Sequence, residues 1–302
     1  MSEVADHTSG FFDPKPQPFY AHSGGQWRRA STSRATHAVL PCIKLFSWNI
    51  DCQMFESQAR MTRALEYLHE LISALPTTTT TIIHLQEMTS SDLQIIQETD
   101  WVQLYYHITD INTQNWLSNY GTITLVDRRL HISNVFRIPY RSDMGRDALF
   151  VEIEDSAPTT LRFCNTHLES LKEGEPLREP QMKLASRYLK DPTVDGGVIA
   201  GDFNAIGESD ATLHEKSGLK DAFLEGGGEE GSEEGMTWGM HYSMGGKYPL
   251  SRMDKMFFCG KAKVENYEKM GAGIKIDSPG RSRFVTDHLG LMADMIVDDN
   301  PM

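Results

Sequence analysis

Four cysteines in 302 residues, none of them in a C-x-x-C pair, leave little material for a disulfide framework or a zinc cluster. Cys42, Cys52, Cys164 and Cys259 lie far apart, and three of them fall in apolar, strand-like runs, the setting of buried reduced thiols. Long apolar runs are missing as well: nothing approaches the roughly 20 residues needed to cross a bilayer as a helix. The opening stretch MSEVADHTSGFFDPKPQPFY lacks the charged-then-apolar order of a secretory signal. The expectation is a soluble intracellular chain, in nucleus or cytoplasm, without a membrane partner. Basic residues are in deficit, 29 Lys and Arg against 42 Asp and Glu, for a formal charge of −13. That balance argues against a broad basic face for nonspecific nucleic-acid binding and leaves a local site open. Part of the acidity sits in LEGGGEEGSEEG, residues 224–235, whose composition reads as a mobile solvated loop.

Hydrophobic periodicity is absent from residues 1–40, which are rich in Ser, Thr, Pro, Gly and His and read as a flexible leader. From there to residue 298 no repeat and no long linker interrupts the chain, so one domain over 41–298 is expected. CIKLFSW reads as a strand. ESQARMTRALEYLHELISAL follows, with Leu65, Leu68, Ile72 and Leu75 on one helical face. TIIHLQEM, WVQLYYHIT, YGTITLV, HISNVFRI, ALFVEI and TLRFCNTHL are strand candidates, REPQMKLASRYLK a helix, and GGVIAGDF, SRMDKMFFC and HLGLMADMIV further strands. Runs of strands mixed with βαβ units predict two packed mixed sheets covered by helices.

Polar residues recur where these strands end. VIAGDFNAI delivers Asp202 and Asn204 to one side of a strand end, with Gly201 permitting a close backbone approach. LFSWNID ends on Asn49 and Asp51, IIHLQE on Glu87, and RFCNTHLES carries Asn165, His167, Glu169 and Ser170. Asp254 sits among apolar residues in SRMDKMFF, and Asp287 and His288 precede a strand in VTDHLGL. Each has a bland alternative: Asn49 as a turn cap, Glu87 as the lead-in to a helix, His167 as a satisfied, partly buried histidine. Taken together they fit a cleft assembled from distant strand ends. Glu87 with Asn49 suits Mg²⁺, a hard ion that uses few protein ligands, and such an ion polarises a phosphoryl oxygen. Asp202 is the candidate to orient or deprotonate a water, with Asn204 holding the phosphate or nucleophile in line. His288 suits a hydrogen bond to phosphate with Asp254 fixing its tautomer, and His167 suits a second such donor.

The segments SWNID, LQEM, THLES, AGDFN, RMDKMFF and TDHLGL, in this order, resemble the motif series of the endonuclease/exonuclease/phosphatase superfamily of metal-dependent phosphoesterases. Within it they are most similar to the tyrosyl-DNA phosphodiesterase 2 branch, a likeness that also takes in QARMTRALEYL, GRDALFVEI and MTWGM and covers residues 42–297. The resemblance implies an α/β four-layer sandwich of two mixed β-sheets flanked by helices. It puts Asn49, Glu87, Asp202, Asn204, Asp287 and His288 in the catalytic centre, with Glu87, Asn49 and Asp287 around Mg²⁺, for which Mn²⁺ can substitute. It puts His167 and Ser170 on the phosphate and makes Tyr120 and Trp238 aromatic substrate contacts. The implied activity is hydrolysis of a tyrosyl adduct from a single-stranded 5′ DNA end, leaving a 5′ phosphate, as a step of DNA repair. The resemblance leaves protein partners open. The chain departs from the branch at Ala205 and Ile206, where a basic residue is expected, and GESDATLHE beside them is acidic. Two alternatives therefore stand: a phosphoesterase of the same fold acting on RNA, a nucleotide or a small phosphate ester, and a non-catalytic binding module. Intact Glu87, Asp202, Asn204 and His288 oppose the second.

Overall fold

The computed structural model describes residues 12–32, 42–154, 159–241, 248–278 and 281–297. Its strands, in chain order, are β1 (Lys15–Pro16), β2 (Tyr20–Ser23), β3 (Gln26–Arg29), β4 (Ile43–Asn49), β5 (Thr80–Met88) and β6 (Tyr106–Ile108). Next come β7 (Gly121–Asp127), β8 (His131–Pro139), β9 (Asp147–Glu154), β10 (Thr160–His167), β11 (Gly196–Asp202) and β12 (Lys220–Asp221). The last are β13 (Asp254–Gly260), β14 (Ala262–Met270), β15 (Lys275–Ser278), β16 (Arg281–Phe284) and β17 (Gly290–Val297). One sheet runs β1-β8-β9-β10-β11-β13-β12 and the other β14-β17-β4-β5-β7-β6-β2-β3, while β15 and β16 form a separate hairpin. Both large sheets are mixed, with one parallel pair each among otherwise antiparallel neighbours, β10 with β11 and β4 with β5.

Period-two alternation sorts the side chains into layers. Ile43, Leu45, Phe163, Val198, Ala200, Met256 and Leu291 face one another between the sheets. Phe46, Trp48, Ile83 and Leu85 point outward beneath α1 (Ser57–Ser73), α2 (Ser90–Glu98) and α3 (Asp100–Tyr105). Phe150, Cys164, Ile199 and Phe257 point outward beneath α4 (Glu175–Leu189) and α5 (Leu213–Ser217). The order helix, sheet, sheet, helix is the four-layer sandwich expected.

Several local expectations change. Residues 12–32 of the supposed leader carry three strands: β1 pairs with β8, and the β2–β3 hairpin extends the other sheet by pairing with β6. Short strands with half-exposed side chains leave no apolar alternation to read, so composition hid them; residues 1–11 and 33–41 lie outside the described residues. WVQLYYHIT is only partly a strand. Trp101 and Val102 belong to α3, which buries them against the outer face of the sheet, and β6 starts at Tyr106. The acidic loop at 224–235 is anchored. Its first two residues close a short helix, α6 (Ala222–Glu225), and Glu230 ion-pairs with buried Arg252 and Lys255. Glycine serves close approach here, since a Cβ on Gly228 would lie 2.4 Å from the Phe223 ring. All four cysteines are free.

Candidate active site

The two parallel pairs end at the same end of the sandwich, and that is where the singled-out polar residues meet. Asn49, His167, Asp202 and Asp254 occupy inward-facing positions on β4, β10, β11 and β13, just beyond the apolar rows between the sheets. By alternation Glu87 should face outward. A bulge between Leu85 and Met88 and a left-handed backbone at Glu87, φ 61°, turn its carboxylate back toward the cleft. Gly201 lets β11 lie close against β10: any Cβ there would sit 1.8 Å from the Thr166 carbonyl oxygen. That contact keeps Asp202 opposite His167 in the β10–β11 register.

Asn49 bridges the sheets. Its Nδ2 donates to Glu87 Oε1 at 3.2 Å and to Asp202 Oδ2 at 2.9 Å, while its Oδ1 accepts from the Asp51 main-chain N–H. Asn49 thus offers its amide N–H groups to the two carboxylates, while its oxygen accepts from the backbone. Asp202 Oδ1 accepts from the Asn204 N–H, and the Asn204 side chain, in a left-handed turn, donates to the Leu168 carbonyl. Burial, seconded by Asp254, raises the Asp202 carboxyl to about 6 despite the nearby His288 charge.

The two histidines differ in charge. His288 Nδ1 donates to Asp254 Oδ2 at 2.8 Å, and its Nε2 lies 3.8 Å from both Asp202 and Asp287. Burial opposes its charge, but Asp254 and Asp202 more than offset that and hold the imidazolium well above its ordinary range. His167 is pushed the other way by burial, by Arg146 and by His288, and stays neutral. Arg146 Nη1 donates to His167 Nδ1 at 2.8 Å; a guanidinium has only donors, so the His167 proton sits on Nε2, which faces Asp202 Oδ2 at 3.3 Å.

Arg146 was not among the expected site residues. Besides His167 it holds Ser170 Oγ at 2.8 Å and lies 5.1 Å above the Tyr120 ring centroid, so Tyr120, Arg146, His167 and Ser170 form one wall. An arginine just before a strand gives no distinguishing pattern in sequence, and only GRDALFVEI as a whole marked it. Trp238 belongs to the site through its indole N–H, which donates to Asp287 Oδ2 at 2.6 Å, and through backbone bridges to Ser251 and His288. Asn165 and Glu169, noted at the same strand end, are scaffold. Asn165 crosses between the sheets to Gln86 and to main-chain carbonyls of β5 and β7, and Glu169 holds Ser142 and Gln181.

Glu87, His167 and Asp202 each offer a ligand atom within 4.8 Å of the others, and so do Asp202, Asp254 and His288. Chemistry removes the histidines: His167 carries its proton on the nitrogen that faces the carboxylates, and charged His288 has no lone pair. The oxygens remain. Asp51 is raised to about 6 by burial and by the charges of Asp287 and Glu87, and Asp287 Oδ1 is buried without a hydrogen-bond partner. Burial would raise Glu87 too, but hydrogen bonds from Cys52 and Asn49 and the His288 charge lower it. Mutually repelling carboxylates and an orphaned oxygen are groups of the kind a hard divalent cation takes as ligands, with water completing its shell. Cys52 is no nucleophile, since burial and Glu87 push its thiol far up.

The chain is similar in fold to several solved structures. A truncated TDP2 from Caenorhabditis elegans superposes with a TM-score of 0.65 at 23% identity, over 85% of this chain and 98% of that one. TDP2 from D. rerio, complexed with a single-strand DNA product, gives 0.68 at 19% identity, over 85% and 99%. A mannosyl-6-phosphatase from Bacteroides thetaiotaomicron gives 0.60 at 13%, over 84% and 99%. No match was found among curated protein sequences. The model of the Endonuclease/Exonuclease/phosphatase family matches residues 46–288, a span from β4 to His288 that contains every site residue described above. The chain accordingly belongs to the endonuclease/exonuclease/phosphatase family, whose members are hydrolases acting on phosphoester bonds.

Proposed function

We propose that this enzyme is a divalent-cation-dependent phosphodiesterase that releases tyrosine from the 5′ phosphate of a single-stranded DNA end and leaves that phosphate on the DNA. The carrying observation is the asymmetry around Asp202, which has a neutral His167, its Nε2 at 3.3 Å and without a hydrogen-bond partner, and a charged His288 at 3.8 Å. Asp202 accepts a proton from water as the water oxygen bonds to phosphorus, and the bond from phosphorus to the tyrosyl oxygen breaks. With a pKa of about 10, a tyrosyl oxygen departs more readily than a sugar hydroxyl. His288, held by Asp254, and the wall of Arg146, His167 and Ser170 donate to the phosphoryl oxygens as charge grows there. Asn204 keeps Asp202 aligned through its main-chain N–H. Glu87, Asp51 and Asp287 are the groups that would hold Mg²⁺, or Mn²⁺ in its place, while Asn49 fixes Glu87 and Asp202 relative to each other. When bound, the cation supplies Lewis-acid polarisation of a phosphoryl oxygen. The fold shared with a TDP2 complexed with a single-strand DNA product supports nucleic acid as the substrate.

A second reading, a small phosphate ester as substrate, is favoured by Ile206, exposed where the branch carries a basic residue, and by the fold shared with a mannosyl-6-phosphatase. Turnover on matched 5′-phosphotyrosyl, 3′-phosphotyrosyl, abasic, RNA and sugar-phosphate substrates, with Mg²⁺ and with chelator, decides. Efficient cleavage of the last three with 5′-phosphotyrosyl DNA untouched rejects the first reading and leaves the family's chemistry standing.

A further inference from the structure

Arg60, in the first turn of α1, is among the largest fully buried side chains, yet it lies on a helix whose other buried residues are apolar. Its five N–H donors are all directed at main-chain carbonyls. Nε donates to Phe55 at 3.0 Å, Nη1 to Ile50 at 2.5 Å and Val285 at 2.7 Å, and Nη2 to Asp51 at 2.8 Å and Met54 at 3.0 Å. Four of these carbonyls belong to the loop that follows Asn49, and the fifth lies two residues before Asp287. The two loops meet again where Thr286 Oγ1 donates to the Asn49 carbonyl.

The first loop needs such a clamp. Asp51 and Glu56 both adopt left-handed backbone, φ 49° and 64°, a conformation that costs non-glycine residues energy and persists only where surrounding contacts enforce it. We infer that Arg60 is a positioning residue for the cation site: by tying the 50–55 loop to the strand lead-in at Val285, it sets the distance between the Asp51 and Asp287 carboxylates across from Glu87. The inference rests on the proposed cation reading. A guanidinium suits the task because its planar fork offers five donors in fixed directions, whereas a lysine offers a point charge with three.

The test is direct Mn²⁺ binding to the full chain, read from the electron paramagnetic resonance signal of free Mn²⁺, for wild type, Arg60→Lys and Arg60→Gln. Circular dichroism and thermal melts establish which variants are folded. The expected result is a Kd for Mn²⁺ raised at least tenfold in a folded variant, with kcat at saturating Mn²⁺ within about fivefold of wild type, because Asp202, Asp254 and His288 keep their own contacts. Millimolar guanidinium added to Arg60→Ala should recover part of the affinity, and ethylammonium, which brings charge without the fork, should not. A folded variant that melts lower but binds Mn²⁺ like wild type overturns the inference and reduces Arg60 to scaffold. If neither Arg60→Lys nor Arg60→Gln folds, failure of guanidinium to restore Mn²⁺ binding to Arg60→Ala overturns it. Absence of Mn²⁺ binding by wild type sinks the cation reading itself, a distinct outcome.

Discussion

Removing Asp254 tests whether it acts through His288. Among the anionic groups around that imidazolium, Asp254 at 2.8 Å is nearer than Asp202 or Asp287 at 3.8 Å. At an effective dielectric of about 20, a charge pair at the shorter distance is worth about 6 kcal/mol and one at the longer about 4. Asp254→Ala therefore removes the largest single attraction and the partner of Nδ1, leaving a buried ring with neither a fixed tautomer nor its full charge. Some of the loss returns through water and relaxation, so a net cost of about 3 to 4 kcal/mol in the transition state is expected, about 10²- to 10³-fold in kcat/KM. His288→Ala should cost a similar factor. If Asp254 works only by holding His288, the double variant falls no more than about threefold below His288→Ala, against a further drop of about 10²- to 10³-fold if the two acted independently. The assay is kcat/KM on a minimal aryl phosphodiester with Mg²⁺, on variants whose folding is verified by urea titration. Losses that multiply in the double variant refute the pairing.

Glu87→Gln should keep the fold and lose most Mg²⁺-supported turnover, whereas Asp202→Asn should lose turnover yet still bind Mn²⁺; near-normal turnover by either folded variant removes its assigned role. His84 lies between the sheets with burial holding it at about 3, against 6.5 in the unfolded chain, so the native state binds fewer protons and stability falls as pH drops below 6.5 toward 3. That contribution is about 2 kcal/mol lost by pH 5; His84→Leu should flatten the urea-stability profile between pH 7 and 5 by this amount, and parallel profiles would count against it. Deleting residues 226–234 should cost activity even on a small phosphodiester, because the segment anchored by Glu230 leads into Thr237 and Trp238; intact activity would show the anchor idle. Trp238→Ala should weaken turnover of both long DNA and minimal substrates, since the indole positions Asp287; a loss confined to DNA would instead assign it to base stacking, worth about 1 to 3 kcal/mol.

The sequence by itself determined the layered architecture and the identity of most polar residues at the catalytic end. Period-two apolar runs with one amphipathic helix after the first of them admit few packings other than sheet on sheet with helices outside, and each run in turn stops at Asn49, Glu87, His167 or Asp202. Weakly patterned elements escaped it. The β2–β3 hairpin has half-exposed residues on both faces, α3 is too short for a helical period, and the glycines at 226–235 serve close packing around Phe223 as readily as they would serve flexibility. What only the tertiary structure decided is which atoms face which. Alternation alone sends Glu87 outward, and a bulge brings it back. His167 and His288 are the same residue type at comparable strand ends, yet one meets a guanidinium and is neutral while the other meets three carboxylates and is charged. Arg146 and Arg60 lie in segments that resemble the family, but their roles are not legible along the chain because their partners are Ser170, Tyr120 and the carbonyls of two separate loops. Protonation, ligand choice and loop position depend on distances of a few ångströms between residues tens to hundreds of positions apart, and those distances exist only once the two sheets have packed.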